Sequence, residues 1–433
     1  MTPSPRSAGR ARRRAGVAIA LALLAALPAA LVRLGGLAAP VELATFFFGL
    51  SIVAAAFAMS WAAEAAERDI PRALSLIAVA LLAVLPEYAV DIIFAYKAGA
   101  DPAFAPFAVA NMTGSNRLLL GLGWSMVALL AWVERGARAV RLDRDDVVAL
   151  AFLAVATLFS FSLPLRDEIT LVDSALLLFL FVAYAFGAAR SGTAEPELVG
   201  PAAEIGALPT LWRRTVVLGL FAFAGAVIAL AAEPFAAGLV RTGERLGIDQ
   251  FLLVQWLAPL ASESPEFIVA ALLTLRGRAT AALALLLSAK VNQWTLLVGS
   301  LPVAYSLGGG APGALPLDAR QSAEVLLTAA QSLFGVAVLA SLTFSLREAG
   351  LLGGLFIAQL VLGGVLRAAL HDRGAAEAEL FAFTALYVAL AIGELYLARR
   401  VLRRALGRVV SVRSRVAGGS RRADPRPPRD PDR

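Results

Sequence analysis

Leu81-Leu82-Ala83-Val84-Leu85-Pro86-Glu87-Tyr88-Ala89-Val90 places a carboxylate directly after a proline inside an apolar run. Ser262-Glu263-Ser264-Pro265-Glu266-Phe267-Ile268-Val269 repeats that step 179 residues later (266 − 87 = 179). A carboxylate in hydrocarbon costs about 2.5–3.5 kcal/mol on insertion scales, so a chain that keeps one has a use for it. The proline removes a backbone donor and frees the carbonyl four residues back, Leu82 or Ala261. A carboxylate beside loosened backbone oxygens has the makings of a cation site. Finding the step twice points to a two-halved transporter with its ion between the halves.

Composition agrees. Of 433 residues 59% are hydrophobic and 16% charged, with a mean hydropathy of +0.75. Soluble domains carry about 25% charged residues and shorter apolar runs. Runs of roughly 20 apolar residues recur along the whole chain, the mark of an all-α polytopic membrane protein embedded in a lipid bilayer. They are continuous, without the period-two alternation of a transmembrane barrel. The chain has no cysteine, which excludes disulfides, thiolate metal sites and cysteine nucleophiles. The net charge of +7 comes from arginines gathered at the chain ends and in certain loops. That distribution is a topology signal, and no nucleic-acid partner is expected.

About twelve helices are expected, near 15–38, 42–63, 71–97, 105–133, 146–164, 169–189, 214–241, 249–275, 279–306, 320–346, 349–370 and 376–400. Arginine-rich loops alternate with poorer ones, so both termini are expected in the cytoplasm, and a plasma (inner) membrane is the expected location. The first helix also suits a cleavable signal peptide, with Pro28-Ala29-Ala30 as the cleavage region. A retained helix is preferred because an even count keeps the charged tail inside. The expected organisation is a basic N-terminus with an extra helix (1–41), a first repeat (42–190) and a cytoplasmic linker (191–212). A second repeat (213–370), an extra helix (371–400) and a disordered basic tail (401–433) follow. Five helices per repeat, an odd number, invert the second half relative to the first.

Each Pro-Glu helix is followed by a second helix of related character, Asn111-Met112-Thr113-Gly114-Ser115-Asn116 in one half and Ser288-Ala289-Lys290-Val291-Asn292-Gln293 in the other. Aligning Asn116 with Asn292 also pairs Gly123 with Gly299. These residues resemble the α-repeats of the sodium/calcium exchanger superfamily of cation antiporters. The first copy matches well and the second more weakly. The resemblance implies secondary-active exchange of Ca2+ or Na+ for Na+ or H+ by alternating access. It makes Glu87 and Glu266 the central ion-binding carboxylates, Asn111 a second-helix ligand, and Gly114-Ser115-Asn116 a close-packing and ligand segment. Ser262, Glu263, Asn292 and Lys290 complete the candidate site. The expected partners are inorganic cations; Ca2+, Na+ or H+ is cargo, and no resident cofactor is implied.

The chain departs from that pattern in places. Ala83 and Val84 stand where the family carries hydroxyls, and Leu287 stands opposite Asn111. Lys290 occupies the slot of Gly114. An ammonium there opposes Ca2+, which wants about 6–8 oxygens and uncompensated negative charge. It would suit exchange of a monovalent ion for H+, with Lys290 replacing a bound cation or titrating as part of a proton-coupled exchange. The competing readings are that Lys290 snorkels to the interface or pairs with Glu263. Asp91 lies one turn after Glu87, either extending the pathway or facing water at a helix end. Glu64 and Glu233 are further candidates near the two mouths. Gly114, Gly121 and Gly123 are expected to allow close helix approach.

Two other function classes stay open on sequence alone. An intramembrane enzyme would use paired carboxylates for acid–base work, although the single histidine, His371, rules out a histidine-built zinc centre. A non-transporting scaffold would bind ions without flux. No phosphate-binding Gly-x-x-x-x-Gly-Lys-Ser/Thr motif is present, so ATP-driven transport is not expected.

Overall fold

The computed structural model describes residues 5–66, 68–69, 85–190, 198–369 and 372–419. Helices dominate, because a bilayer leaves every backbone donor and acceptor to be satisfied within the segment. The N-terminal portion comprises α1 (Pro5–Ala25) and α2 (Leu27–Leu34). The first repeat comprises α3 (Val41–Ala66), α4 (Leu85–Ala100), α5 (Ala105–Leu118), α6 (Ser125–Arg135), α7 (Val147–Ser160) and α8 (Leu171–Arg190). A short α9 (Pro201–Gly206) leads into the second repeat: α10 (Thr210–Leu246), α11 (Gln250–Leu275), α12 (Ala279–Asn292), α13 (Val298–Gly309), α14 (Ala319–Leu339) and α15 (Leu346–Gly364). The last helix is α16 (Arg373–Gly419).

Among the described residues, nine helical spans are long and apolar enough to cross a membrane. The helices with the carboxylate–proline steps, α4 and α11, and the shorter α7 stand outside that set. Residues 70–84 lie outside the described part, and with them the start of the expected third helix, the Leu82 carbonyl, Ala83 and Val84. The expected first helix is interrupted at Ala26, just ahead of Pro28. α10 begins at Thr210, three residues ahead of the expected start of the second repeat. The final helix continues to Gly419, past residue 400 where a disordered tail was expected to begin.

Two short strand pairs reveal the symmetry of the halves. β1 (Ala139–Arg141) pairs antiparallel with β4 (Thr343–Ser345), and β2 (Glu168–Ile169) with β3 (Leu315–Pro316). In register, Val140 faces Phe344 and Glu168 faces Pro316. A shift of 176 residues carries Val140 to Pro316 and Glu168 to Phe344 (316 − 140 = 344 − 168 = 176). The same shift carries Asn116 to Asn292. Each pair therefore maps onto the other with its partners exchanged, as a two-fold relation between inverted repeats requires.

The halves share a second irregularity. In each, the helix after the Pro-Glu helix changes to a π-helical turn close behind its asparagine: Leu119–Trp124 after Asn116, and Gln293–Leu297 after Asn292. Such turns recur at functional sites because they re-aim side chains within an otherwise continuous helix. The helices flanking these turns are held at close range. A Cβ on Gly114 would lie 1.8 Å from the Gln255 backbone oxygen, so α5 meets the α11 backbone directly at this glycine.

Candidate cation-binding site

Glu87 sits in the first turn of α4 and is only 6% exposed. Ser115 on α5, with Gln293 and Lys290 on the second half, lies close enough to act on its carboxylate. Glu263 on α11 is 2% exposed and is acted on in turn by Glu87, Glu266, Ser115 and Lys290. Gln293 donates Nε2 to Glu263 Oε1 at 2.8 Å. Glu266, one turn further along α11, is partly exposed and lies within electrostatic range of Glu87 and of Glu64 on α3. The carboxylates of the two Pro-Glu steps therefore lie within electrostatic range of each other across the repeats.

Proline shapes this helix as expected. α11 carries Pro259 and Pro265 in its interior. The Ala261 carbonyl that Pro265 leaves without its helical donor accepts a hydrogen bond from Ser264 Oγ at 3.1 Å. Ser262 Oγ donates to Ala258 and Pro259 carbonyls at 3.2 and 3.3 Å, so its proton is used locally while its lone pairs stay available. Tyr88 Oη donates to the Asn292 carbonyl at 3.3 Å and ties the two repeats beside the carboxylates.

The buried polar atoms around this point lack partners. Glu87 Oε1, Glu263 Oε2, Glu266 Oε2, Ser115 Oγ, Asn292 Oδ1 and Gln293 Oε1 are shielded and form no hydrogen bond among the described residues. Buried polar groups are normally paired, so a concentration of exceptions calls for a ligand. Anionic and neutral oxygens of this kind suit a hard cation. Among the described residues no three acidic or imidazole side chains converge into a metal cluster of their own. A cation here would be held by a mixed set of carboxylate, hydroxyl and amide oxygens.

Lys290 is not at the interface, where one reading of the sequence put it, and its hydrogen bonds go to Asn116. It is fully buried, so it does not snorkel. Its ammonium donates to Asn116 Oδ1 at 2.6 Å and to the Asn116 carbonyl at 2.7 Å, and it lies 5.2 Å from the Trp294 ring centroid. Asn116, a candidate ligand, is thus occupied by Lys290, with its own Nδ2 donating to the Met112 carbonyl at 2.9 Å. Ser288, beside Leu287, is turned away to Tyr184 on α8 at 2.7 Å. Asn111 is fully buried, and among the described residues neither end of its amide has a conventional hydrogen-bond partner.

Of the other acidic candidates, Glu64 accepts from Ser60 Oγ at 3.0 Å and lies within electrostatic range of Glu266. Glu233 is a half-exposed partner of Lys97 (3.0 Å) and Arg33 (3.6 Å), away from the carboxylate group. Gln293 was not singled out from sequence, although its position next to Asn292 in the second repeat was the available signal. The buried ion pair of Arg117 and Glu324 (2.6 Å) on the back of α5 also went unread. Gln255 joins it by donating to Glu324 Oε2 at 3.0 Å.

Comparison with known proteins follows the same lines. The family model described as sodium/calcium exchanger protein matches residues 41–189 and again 216–364, once per repeat. The crystal structure of an H+/Ca2+ exchanger named CAX is 42% identical, covering 93% of this chain and all of that one, with a TM-score of 0.84. A structure of the Ca2+/H+ antiporter protein YfkE shares the fold at 14% identity, with a TM-score of 0.57 over 82% of this chain and 99% of that one. No curated protein matches the chain in sequence. With a family match spanning both inverted repeats and the carboxylate of each brought to one place, the chain belongs to the sodium/calcium exchanger family of cation antiporters.

Proposed function

We propose that this antiporter exchanges Ca2+ for H+ across a plasma (inner) membrane, with both termini cytoplasmic. Glu87 and Glu266 would hold the ion, with Glu263 adding its charge beside them and Ser115, Ser262, Asn292 and Gln293 supplying neutral oxygens. The group of unpartnered buried oxygens between the two repeats supports this reading most directly. The charge balance agrees with it. Three carboxylates set against the one ammonium of Lys290 leave two uncompensated negative charges, which one Ca2+ or two protons neutralise. The two cargoes then compete for the same oxygens, and alternating exposure of the site to each side couples their gradients. The likeness to a protein described as an H+/Ca2+ exchanger adds weight at 42% identity.

A monovalent cation exchanger is the second reading, favoured by one observation: Lys290 sets its amino group on Asn116 oxygens beside the carboxylates. Reconstituted vesicles separate the two. An imposed pH gradient should drive 45Ca2+ uptake with no Na+ present, and added Ca2+ should dissipate the gradient. Dissipation by Na+ but not by Ca2+ would select the monovalent reading.

A further inference from the structure

We infer that residues 398–419 of α16 form a basic amphipathic helix that lies along the membrane surface and binds the phosphate headgroups of anionic lipids. The inference goes beyond the exchange reading and does not depend on which ion is carried. α16 runs over 47 residues, about 70 Å, against roughly 30 Å of bilayer hydrocarbon. The part of it apolar enough to cross a membrane is Gly374–Leu397. Tyr396 and Arg399 mark the end of that span: both are exposed, and the Arg399 guanidinium lies 3.6 Å from the Tyr396 ring centroid. An aromatic ring and a long basic side chain one turn apart suit the headgroup level. The 22 residues after Leu397 (419 − 397 = 22) stay helical beyond the span.

The sequence of those 22 residues is patterned in charge and in apolar character. It holds seven arginines and no acidic residue. At about 100° per residue, Val401, Leu402, Ala405, Val409, Val412 and Val416 share an arc of about 100°. Arg400 and Arg403 fall opposite that stripe, with Arg399 and Arg404 beside them. Arg408 and Arg415 border the stripe on one side and Arg413 on the other, while Leu406 and Val410 fall outside it. A helix of this kind lies in the interface, its aliphatic stripe at the acyl boundary and its arginines at the phosphates.

Three arguments select a lipid surface as the partner. The charge is complementary, since a basic cluster directly beyond a transmembrane helix is drawn to an anionic leaflet. Arginine in particular matches phosphate, because its planar fork donates two parallel hydrogen bonds. The segment is also tethered: joined to a span, it meets headgroups at a high effective concentration that no soluble partner enjoys. The apolar stripe completes the case, because nucleic acid or an acidic peptide would use the arginines and leave the stripe in water. The bend onto the surface falls between Leu397 and Val409, where Gly407 is the weakest helix former.

The chain has no cysteine, so one introduced thiol can be labelled without background. The test is spin-label accessibility on the full chain, reconstituted either in equal parts phosphatidylglycerol and phosphatidylcholine or in phosphatidylcholine alone. Val409→Cys puts the label on the stripe, and Ser411→Cys puts it on the polar side. In the anionic bilayer the ratio of oxygen access to nickel-chelate access should be several-fold higher at position 409 than at position 411. In phosphatidylcholine alone that contrast should disappear. Val416→Cys against Ser414→Cys repeats the comparison, should the first pair disturb folding. Arg403→Gln, Arg404→Gln and Arg408→Gln together should erase the contrast in the anionic bilayer. Equal water access at both positions there, or a contrast that survives neutral lipid or loss of the three arginines, would overturn the inference. Low access of both reagents at position 409 would place protein on the stripe, such as a second copy of this chain, and would overturn it equally. None of these outcomes bears on ion exchange, which vesicle uptake tests separately.

Discussion

The ammonium of Lys290 lies 2.6 Å from the side-chain oxygen of Asn116 and 2.7 Å from its backbone oxygen, joining the second repeat to the first at the level of the carboxylates. The position that is glycine in one half, Gly114, is this lysine in the other. Close backbone packing at Gly114 and a built-in positive charge at Lys290 are two uses of one site in the repeat. The charge sets how much positive cargo the carboxylates can accept.

Removing that charge should therefore tighten divalent binding. Lys290→Met keeps the aliphatic volume and leaves three carboxylates without an ammonium. At an effective dielectric constant near 20, one unit charge lost in this neighbourhood is worth a kcal/mol or more, so 45Ca2+ affinity should rise about tenfold. Equilibrium binding checks it, and unchanged or weaker affinity would show that Lys290 does not oppose the cargo. The orphaned Asn116 oxygens should cost about 1–3 kcal/mol of stability in the same variant.

Gly114→Ala tests the close approach of α5 to α11. Its Cβ would fall 1.8 Å from the Gln255 carbonyl oxygen, and a backbone atom cannot swing aside as a side-chain tip can. Overpacking of this kind costs about 1–3 kcal/mol. The melting temperature of the purified protein should fall by several degrees. An unchanged melting temperature would mean that the two helices part without cost.

Arg117 and Glu324 are both 1% exposed, and the pair is 2.6 Å apart. Arg117 also lies 5.1 Å from the Trp256 ring centroid, and its Nη2 donates to Gln359. Glu324 also faces Arg367 at 3.8 Å, so removing Arg117 leaves a buried carboxylate only partly compensated, a loss at the lower end of about 3–5 kcal/mol, whereas replacing both is milder. Arg117→Met should thus destabilise the protein strongly, and Arg117→Met with Glu324→Met should recover much of the loss in thermal unfolding.

The Pro-Glu steps, the inverted repeats and the carboxylates Glu87, Glu263 and Glu266 were legible in the sequence, because apolar runs leave a buried charge conspicuous. The partners of Lys290 were not. Both snorkelling and pairing with Glu263 satisfy an ammonium equally well on paper, and only the crossing of α5 and α12 places the Asn116 oxygens in reach. The Arg117–Glu324 pair was hidden for a related reason. Its members are 207 residues apart, and a lone arginine within a helix resembles a topology marker until the helices pack. The π-helical turns have no signature of composition, since they arise from how each helix is gripped by its neighbours.

At the α10 start, Arg213 donates to both carboxylate oxygens of Asp69, at 2.6 and 2.7 Å, and Arg214 adds a third contact at 3.3 Å. The Arg213 hydrogen bonds, followed by the charges of Arg213 and Arg214, hold the Asp69 carboxyl below the ordinary aspartate value. A depressed folded-state value means that its contribution to stability is full above the ordinary carboxylate range. The contribution is lost as pH falls through the folded value. Asp69→Asn should therefore lower the melting temperature at pH 7 and flatten its decline between pH 5 and 3. A mutant curve parallel to wild type would show that the contact adds nothing.

The central claim is that one carboxylate from each repeat holds a shared cargo, and Ca2+ uptake driven by a pH gradient in reconstituted vesicles tests it most directly. Glu87→Gln and Glu266→Gln, each nearly isosteric, should separately reduce 45Ca2+ uptake at least a hundredfold with the protein still folded. Uptake persisting near the wild-type rate in either variant would contradict the account.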